Sequence, residues 1–210
     1  MSGTGKPSVH PAAQQIARLY HEHAAVWHEL RDTSLFERPW LDAFRAALPV
    51  EGAARILDLG CGSGLPVAAE MIVRGHRITG LDAAPAIVAS ARARFPAQEW
   101  RVGDMRVPAL HGPFDGIIAW HSFFHLPPDD QRGMFGTFAR LAAPRAALIF
   151  TSGPAGGEAI GRFQGEALYH ASLDPEEYRA LLSAHGFVVL DHRAEDPACG
   201  GATVWLAKRA

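Results

Sequence analysis

Apolar positions recur along this chain first at helical and then at strand spacing. Ile16, Leu19, Tyr20, His23 and Trp27 fall three or four residues apart, which predicts an amphipathic helix beginning near Ala13. A break over residues 31–34 precedes a second helix with Leu41, Phe44 and Leu48 as its stripe, Pro39 in its first turn and Pro49 at its end. From Arg55 onward strand-length apolar runs take over, at 56–59, 77–81, 99–102, 114–120 and 146–151. Helical periods over 67–74, 85–95 and 128–142 lie among them, and such alternation predicts a parallel sheet covered on both faces. The end differs. After a helix over 175–185, strands at 187–191 and 203–208 are joined through the Gly200-Gly201 turn with no helix between them, so they must pair antiparallel.

The expected architecture is therefore α/β: a doubly wound, seven-stranded sheet of five parallel strands plus a C-terminal antiparallel hairpin, with the two early helices as an N-terminal cap. Residues 1–12, with Gly3, Gly5, Pro7 and Pro11, read as a flexible leader, and 13–210 as one domain. Within it, 13–50 form the cap and 55–210 the core. Residues 153–174 read as a long irregular connection, and loops of roughly 20 residues in a compact domain are usually functional, so a lid or pocket wall is expected there.

Composition narrows the partners. Twenty basic side chains nearly balance 22 acidic ones, which gives no electrostatic footprint for nucleic acid or an anionic membrane. No apolar run approaches the roughly 18 residues of a membrane span, and the first ten residues lack a signal-peptide core. Two cysteines, Cys61 and Cys199, are too few for a disulfide framework. A cytoplasmic monomer or homodimer acting on a small molecule is expected. Eleven histidines are many for 210 residues.

The most informative stretch joins the first strand to its helix: Asp58-Leu59-Gly60-Cys61-Gly62-Ser63-Gly64. A strand, a glycine loop and a helix let backbone approach a ligand and aim helix N–H groups at it. A dinucleotide fingerprint would place its third glycine where Leu65 stands, and no Gly-Lys-Ser/Thr of a phosphate-binding loop follows. Asp58 lies inside the strand, where a carboxylate repels a pyrophosphate and attracts a cation.

These residues resemble the first motif of the class I S-adenosylmethionine-dependent methyltransferases, and the resemblance runs from Arg55 to the C-terminus, closing hairpin included. It implies a Rossmann-like core, S-adenosylmethionine as cofactor and S-adenosylhomocysteine as product. It further implies that Asp58, Gly60, Cys61, Gly62 and Gly64 contact the cofactor, and that Asp82, with Ala83 beside it, receives the ribose hydroxyls. Asp104 would accept from the adenine amine, Met105 would pack on the ring, and Trp120 would flank the cofactor. Simpler readings stay open: Asp82 as a helix N-cap, and Asp104-Met105 as a turn with a core methionine.

After the fourth strand comes His121-Ser122-Phe123-Phe124-His125-Leu126-Pro127-Pro128. The Asn/Asp-Pro-Pro-aromatic sequence of nucleic-acid and protein-amide methyltransferases is missing, and the stretch resembles bacterial small-molecule members. His121 and His125 are the catalytic candidates. His121 is placed at the acceptor as base or orienting donor, and His125 is rated higher as a pocket-forming or cofactor-contacting group. A histidine that only bonds backbone is the plain alternative. Tyr20 is expected to cover the cofactor, and Trp27, Arg31, Tyr169 and His170 to meet the substrate. Cap packing for Tyr20 and a solvated Arg31 are the competing readings. The histidines are too spread to suggest a metal set. The expected function is methyl transfer to an oxygen or nitrogen of a small metabolite; a non-catalytic binder of S-adenosylmethionine is the alternative. A nicotinamide oxidoreductase fails at Leu65 and at the closing hairpin.

Overall fold

The computed structural model describes residues 10–31 and 34–210. The expected leader falls outside the described residues up to residue 9, and so do residues 32 and 33 of the expected break. Pro11 and Ala12, assigned to the leader, instead open helix α1 (Pro11–Gln14). The first cap helix is one helical path bent twice, continuing as α2 (Ile16–Glu22) and α3 (Ala24–Leu30). Its hydrogen bonds cross both bends, from Leu19 N–H to Gln15 O at 2.8 Å and from Trp27 N–H to His23 O at 2.9 Å.

Helix α4 (Arg38–Ala47) buries Trp40, Leu41 and Phe44 against the sheet. Phe44 sits so close to the sheet that a Cβ at Gly116 would lie 2.5 Å from its ring. Burying each such side chain stabilises by about 1.5–3 kcal/mol, so α4 belongs to the core as much as the sheet helices do.

The alternation follows the sequence pattern: β1 (Arg55–Leu59), α5 (Val67–Val73), β2 (Arg77–Asp82), α6 (Pro85–Arg94), β3 (Glu99–Val102), β4 (Phe114–Ala119), α7 (Pro128–Leu141) and β5 (Ala142–Ser152). Strand β5 begins directly at the end of α7, earlier than expected. Its pairing with β4 is irregular there, shifting between Phe114 and Gly116, and Arg145 takes a positive φ of 63°.

Residues 153–174 correct the sequence reading. They are mostly a two-stranded antiparallel sheet, β6 (Gly157–Phe163) and β7 (Glu166–Ser172), and not an irregular loop. Gln164 and Gly165 make the turn with φ of 50° and 82°, a pair of left-handed residues that matches strand twist in two-residue hairpins. Helix α8 (Pro175–Ala184), β8 (Phe187–Asp196) and β9 (Ala202–Arg209) complete the chain. Strand β8 runs past residue 191 because bulges let it stay paired with β9.

The large sheet has the order β3-β2-β1-β4-β5-β9-β8, with β9 antiparallel to both neighbours. Strand order reverses between β1 and β4, and the crevice beyond their carboxyl ends is where open α/β sheets bind ligands. One face of the sheet packs on an aromatic cluster of Phe123, Phe135, Phe138, Phe150, Tyr178 and Trp205. The other packs on α4, α5 and α6.

Candidate active site

Two adjoining cavities open at the switch point. The first, about 310 Å³, is lined by the tips of β2 and β3, including Asp82, Ala83, Asp104 and Met105. The second, about 220 Å³, is lined by Asp58, Cys61, Arg31, Trp120, Phe124 and His170. Tyr20, Trp27, Gly60, Gly62, His121 and His125 line both and mark the boundary between them.

The glycine loop is shaped by close approach. A Cβ at Gly60 would lie 2.1 Å from the Ser122 Cβ, and one at Gly62 would lie 2.7 Å from the Trp27 ring. Both glycines also hold positive φ, which side chains resist. Ser122, which sequence reasoning passed over, clamps the crossing by donating its hydroxyl to Leu59 O at 2.6 Å. Gly64, expected at the cofactor, lines neither cavity; it faces Phe95 and Trp100 and serves helix packing.

Two carboxylates dominate the electrostatics. Asp82 accepts from Gly62 N–H at 3.0 Å and from Ala84 N–H at 2.9 Å, one bond per oxygen, so each oxygen retains acceptor capacity toward the cavity. It is not the N-cap of α6, a position held by Ala84. Burial raises its pKa, partly offset by these backbone donors. Asp58 is pushed up to about 7, first by burial, then by the negative charge of Asp82, with Arg31 opposing. A buried acid and a half-buried one with little compensating charge form a place for a cation.

Asp104 lines the first cavity, but Arg106 grips both its oxygens, at 2.9 Å to Oδ2 and 3.0 Å to Oδ1 from Nε. Burial pushes its carboxyl up, and the Arg106 contacts outweigh this and hold it below the usual range. Arg106 also reaches Asp130 at the start of α7 at 2.8 Å. An adenine amine would share Asp104 with that guanidinium, a partnership that the sequence did not announce.

His121 takes a positive φ of 49° at the end of β4, its N–H donating to Thr151 Oγ1 at 2.9 Å. That turn puts the ring on the border of both cavities, between Trp120 and Phe124. Burial, aided by the charge of Arg31, lowers its pKa to about 4, so the imidazole is neutral near pH 7.

His125 differs in what it can do. Its Nδ1 lies 2.7 Å from Tyr169 O, an acceptor, so Nδ1 carries the proton; Nε2 then accepts from the Tyr20 hydroxyl at 3.0 Å. Burial lowers its pKa to about 4. With both nitrogens engaged, His125 has no lone pair free for an acceptor and acts by holding Tyr20.

Tyr20 is thereby fixed over the border of the cavities, packed on Trp27 and Phe163. Arg31 borders the second cavity and pairs with the buried Glu37 at 3.2 Å. Trp120 lines the same cavity with its indole N–H buried and unpartnered. Tyr169, expected at the substrate, lies apart from both cavities, fully buried and donating to Glu158 at 2.8 Å. Its neighbour His170 does reach the second cavity, because successive strand side chains point to opposite faces. Phe124 and Arg106 were missed; the aromatic run at 123–124 was the available signal for the first.

The cap is latched to the hairpin tip. Arg18 of α2 bonds Glu166 at 2.6 Å and also Glu22, and His23 meets Glu166 at 3.0 Å. Glu22, His23 and Glu166 also lie close enough to share a metal ion, but Arg18 already provides the positive charge between the two acids.

Comparison with known proteins gives a consistent picture. A family model described as "Methyltransferase domain" matches residues 56–145. A ubiquinone biosynthesis O-methyltransferase from Xanthomonas oryzae pv. oryzae is 30% identical over 161 residues, 68% of this chain and 65% of that protein. An O-methyltransferase from Pyrenophora dematioidea is 27% identical over 167 residues, 74% of this chain and 61% of that one. The chain thus spans somewhat under two thirds of these relatives' length. Among solved structures, a Burkholderia thailandensis 1,6-didemethyltoxoflavin-N1-methyltransferase, holding its 1,6-didemethyltoxoflavin and S-adenosylhomocysteine, superposes with a TM-score of 0.72. It is 20% identical, covering 99% of this chain and 93% of that chain.

Proposed function

We propose that the chain is a class I S-adenosylmethionine-dependent methyltransferase, a reading supported by its match to the methyltransferase-domain model and by its methyltransferase relatives, and that it transfers a methyl group from S-adenosylmethionine to a hydroxyl or amine of a small metabolite. The residues fit that cofactor. Asp58, buried, and Asp82, half-buried, are acids short of positive charge, suited to a ligand carrying an ammonium and a sulfonium. Asp82 has lone pairs left for ribose hydroxyls, Met105 and Ile87 offer apolar surface for adenine, and Tyr20 and Trp27 close over the border. When bound, the cofactor supplies the electrophilic methyl group.

The observation that carries the proposal is the neutral His121 imidazole on the border of the two cavities. A neutral imidazole there accepts the proton that a hydroxyl or amine must lose, and its turn, anchored on Thr151, fixes its aim. His125 orients Tyr20, and the Trp120 ring gives the second cavity an aromatic wall. Closure by α2, α3 and the hairpin excludes water, and holding the reacting atoms in line contributes most of the acceleration.

The nearly balanced charge supports a small-molecule acceptor over nucleic acid. No helix among the described residues is long and apolar enough to cross a membrane. Both cysteines are buried and unpaired, which supports a cytoplasmic setting. The test is incubation with methyl-labelled S-adenosylmethionine and a metabolite extract. One small molecule is expected to gain label, and His121→Ala to reduce the transfer about 10²- to 10⁴-fold. Binding of the cofactor without any transfer would favour a non-catalytic binder.

A further inference from the structure

A third cavity, about 420 Å³, lies between the end of β5 and the β6–β7 hairpin. It shares Phe124 and His170 with the second cavity, their ring centroids 5.3 Å apart, so that pair is a common wall. The second cavity, at about 220 Å³, already has to admit one end of the cofactor beside Asp58. Binding sites for drug-sized molecules run to about 300–1,000 Å³. An acceptor larger than its reacting group therefore has to extend elsewhere, and the neighbouring space across Phe124 and His170 is where it leads.

The lining states the chemistry. Phe124, Pro154, Ala155, Ala159 and Ala171 are apolar. Ser152 and Ser172 also line it, but their hydroxyls are engaged within the protein: Ser152 accepts from Trp205 and donates to Gly153 O, and Ser172 accepts from Gly153 N–H and donates to Ala171 O. Glu158 is the one charged side chain of the lining, and it already accepts from Tyr169. Among the described residues no lysine or arginine lines it to pair with an anionic group, and Glu158 would repel one.

We propose that this cavity is the second half of the acceptor site, taking an uncharged, apolar extension of a molecule whose reacting group lies at His121. The Phe124–His170 wall sets how that extension passes, which makes the two residues specificity-determining. The inference rests on the methyl-transfer reading above. It also gives the hairpin a task that the cofactor alone does not require.

The test measures binding of 4-alkylcatechols, from methyl to hexyl, to the protein saturated with S-adenosylhomocysteine. Affinity is expected to rise about fourfold per added methylene while the chain enters the cavity. Ala155→Trp and Ala159→Phe, two independent ways to fill the space, are expected to abolish that rise while leaving S-adenosylhomocysteine affinity unchanged. Affinity independent of chain length, no catechol binding at all, or a length dependence that survives both variants would overturn the proposal. Failure of S-adenosylhomocysteine itself to bind would overturn instead the reading on which it rests.

Discussion

At the scale of single residues, Asp58 and His121 show how burial sets chemistry. The pKa of Asp58 stands at about 7, above the usual carboxylate value, so its ionisation opposes folding in the ligand-free protein. Its favourable contribution is complete at low pH and is lost as pH rises through about 7. Thermal unfolding at pH 8 should therefore find Asp58→Asn melting above the parent. Cofactor binding has the opposite sign, because a cationic ligand needs the carboxylate. Calorimetry is expected to show S-adenosylmethionine binding weaken as pH falls through about 7, with proton release on binding near pH 6; Asp58→Asn should flatten both. His121, held at about 4, should keep methyl transfer free of any loss from its own protonation down to about pH 5. A rate that collapses between pH 7 and 6 in a variant lacking Asp58 would contradict that assignment. His125 was legible only as a nearby histidine; its role depends on Tyr169 O and Tyr20, which lie far off in the chain.

At the scale of elements, the glycine loop was readable because strand, spacing and acid all lie within seven consecutive residues. What the sequence could not display was the partner across the gap. Gly60 is glycine because Ser122 stands against it, so Gly60→Ala combines a clash at 2.1 Å with a strained φ of 73°. It should cost more than the roughly 1 kcal/mol of an ordinary glycine replacement, read by denaturant titration, and impair cofactor binding as well. Gly64 looked equivalent in the string and is not, since it meets Phe95 and Trp100 and neither cavity. The hairpin was misread as loop because glycine and alanine dilute the apolar pattern of its two seven-residue strands. The alternation and the Gln164-Gly165 dipeptide were the signals present. The latch from Arg18 and His23 to Glu166 is an exposed set of charges and should matter little to global stability. Glu166→Ala is expected instead to speed amide exchange in α2 and the hairpin together, and unchanged exchange would show that the two elements close independently.

At the scale of the whole molecule, the alternation of strands and helices, the closing antiparallel pair and the cap followed from patterning, because each strand and helix announces itself locally, whereas the strand order came only from the fold. The site did not follow in full, because it is assembled from the tips of β1, β2, β3 and β4, two cap helices and the hairpin. Of the residues expected at it, Asp58, Gly60, Cys61, Gly62, Asp82, Asp104 and Met105 line the cavities, whereas Gly64 meets Phe95 and Trp100, Tyr169 fell on the far face of its strand, and Arg106 and Phe124 emerged only from the fold. The reversal of strand order between β1 and β4 gathers them, and the central claim is that this crevice holds S-adenosylmethionine with its ribose on Asp82. Titration calorimetry of the parent protein and Asp82→Ala, each with S-adenosylmethionine and with NAD, tests that claim directly. One molecule of S-adenosylmethionine should bind the parent, with affinity at least about tenfold weaker in Asp82→Ala, and NAD should give no heat. Saturable NAD binding with none of S-adenosylmethionine, or S-adenosylmethionine binding indifferent to Asp82→Ala, would contradict it.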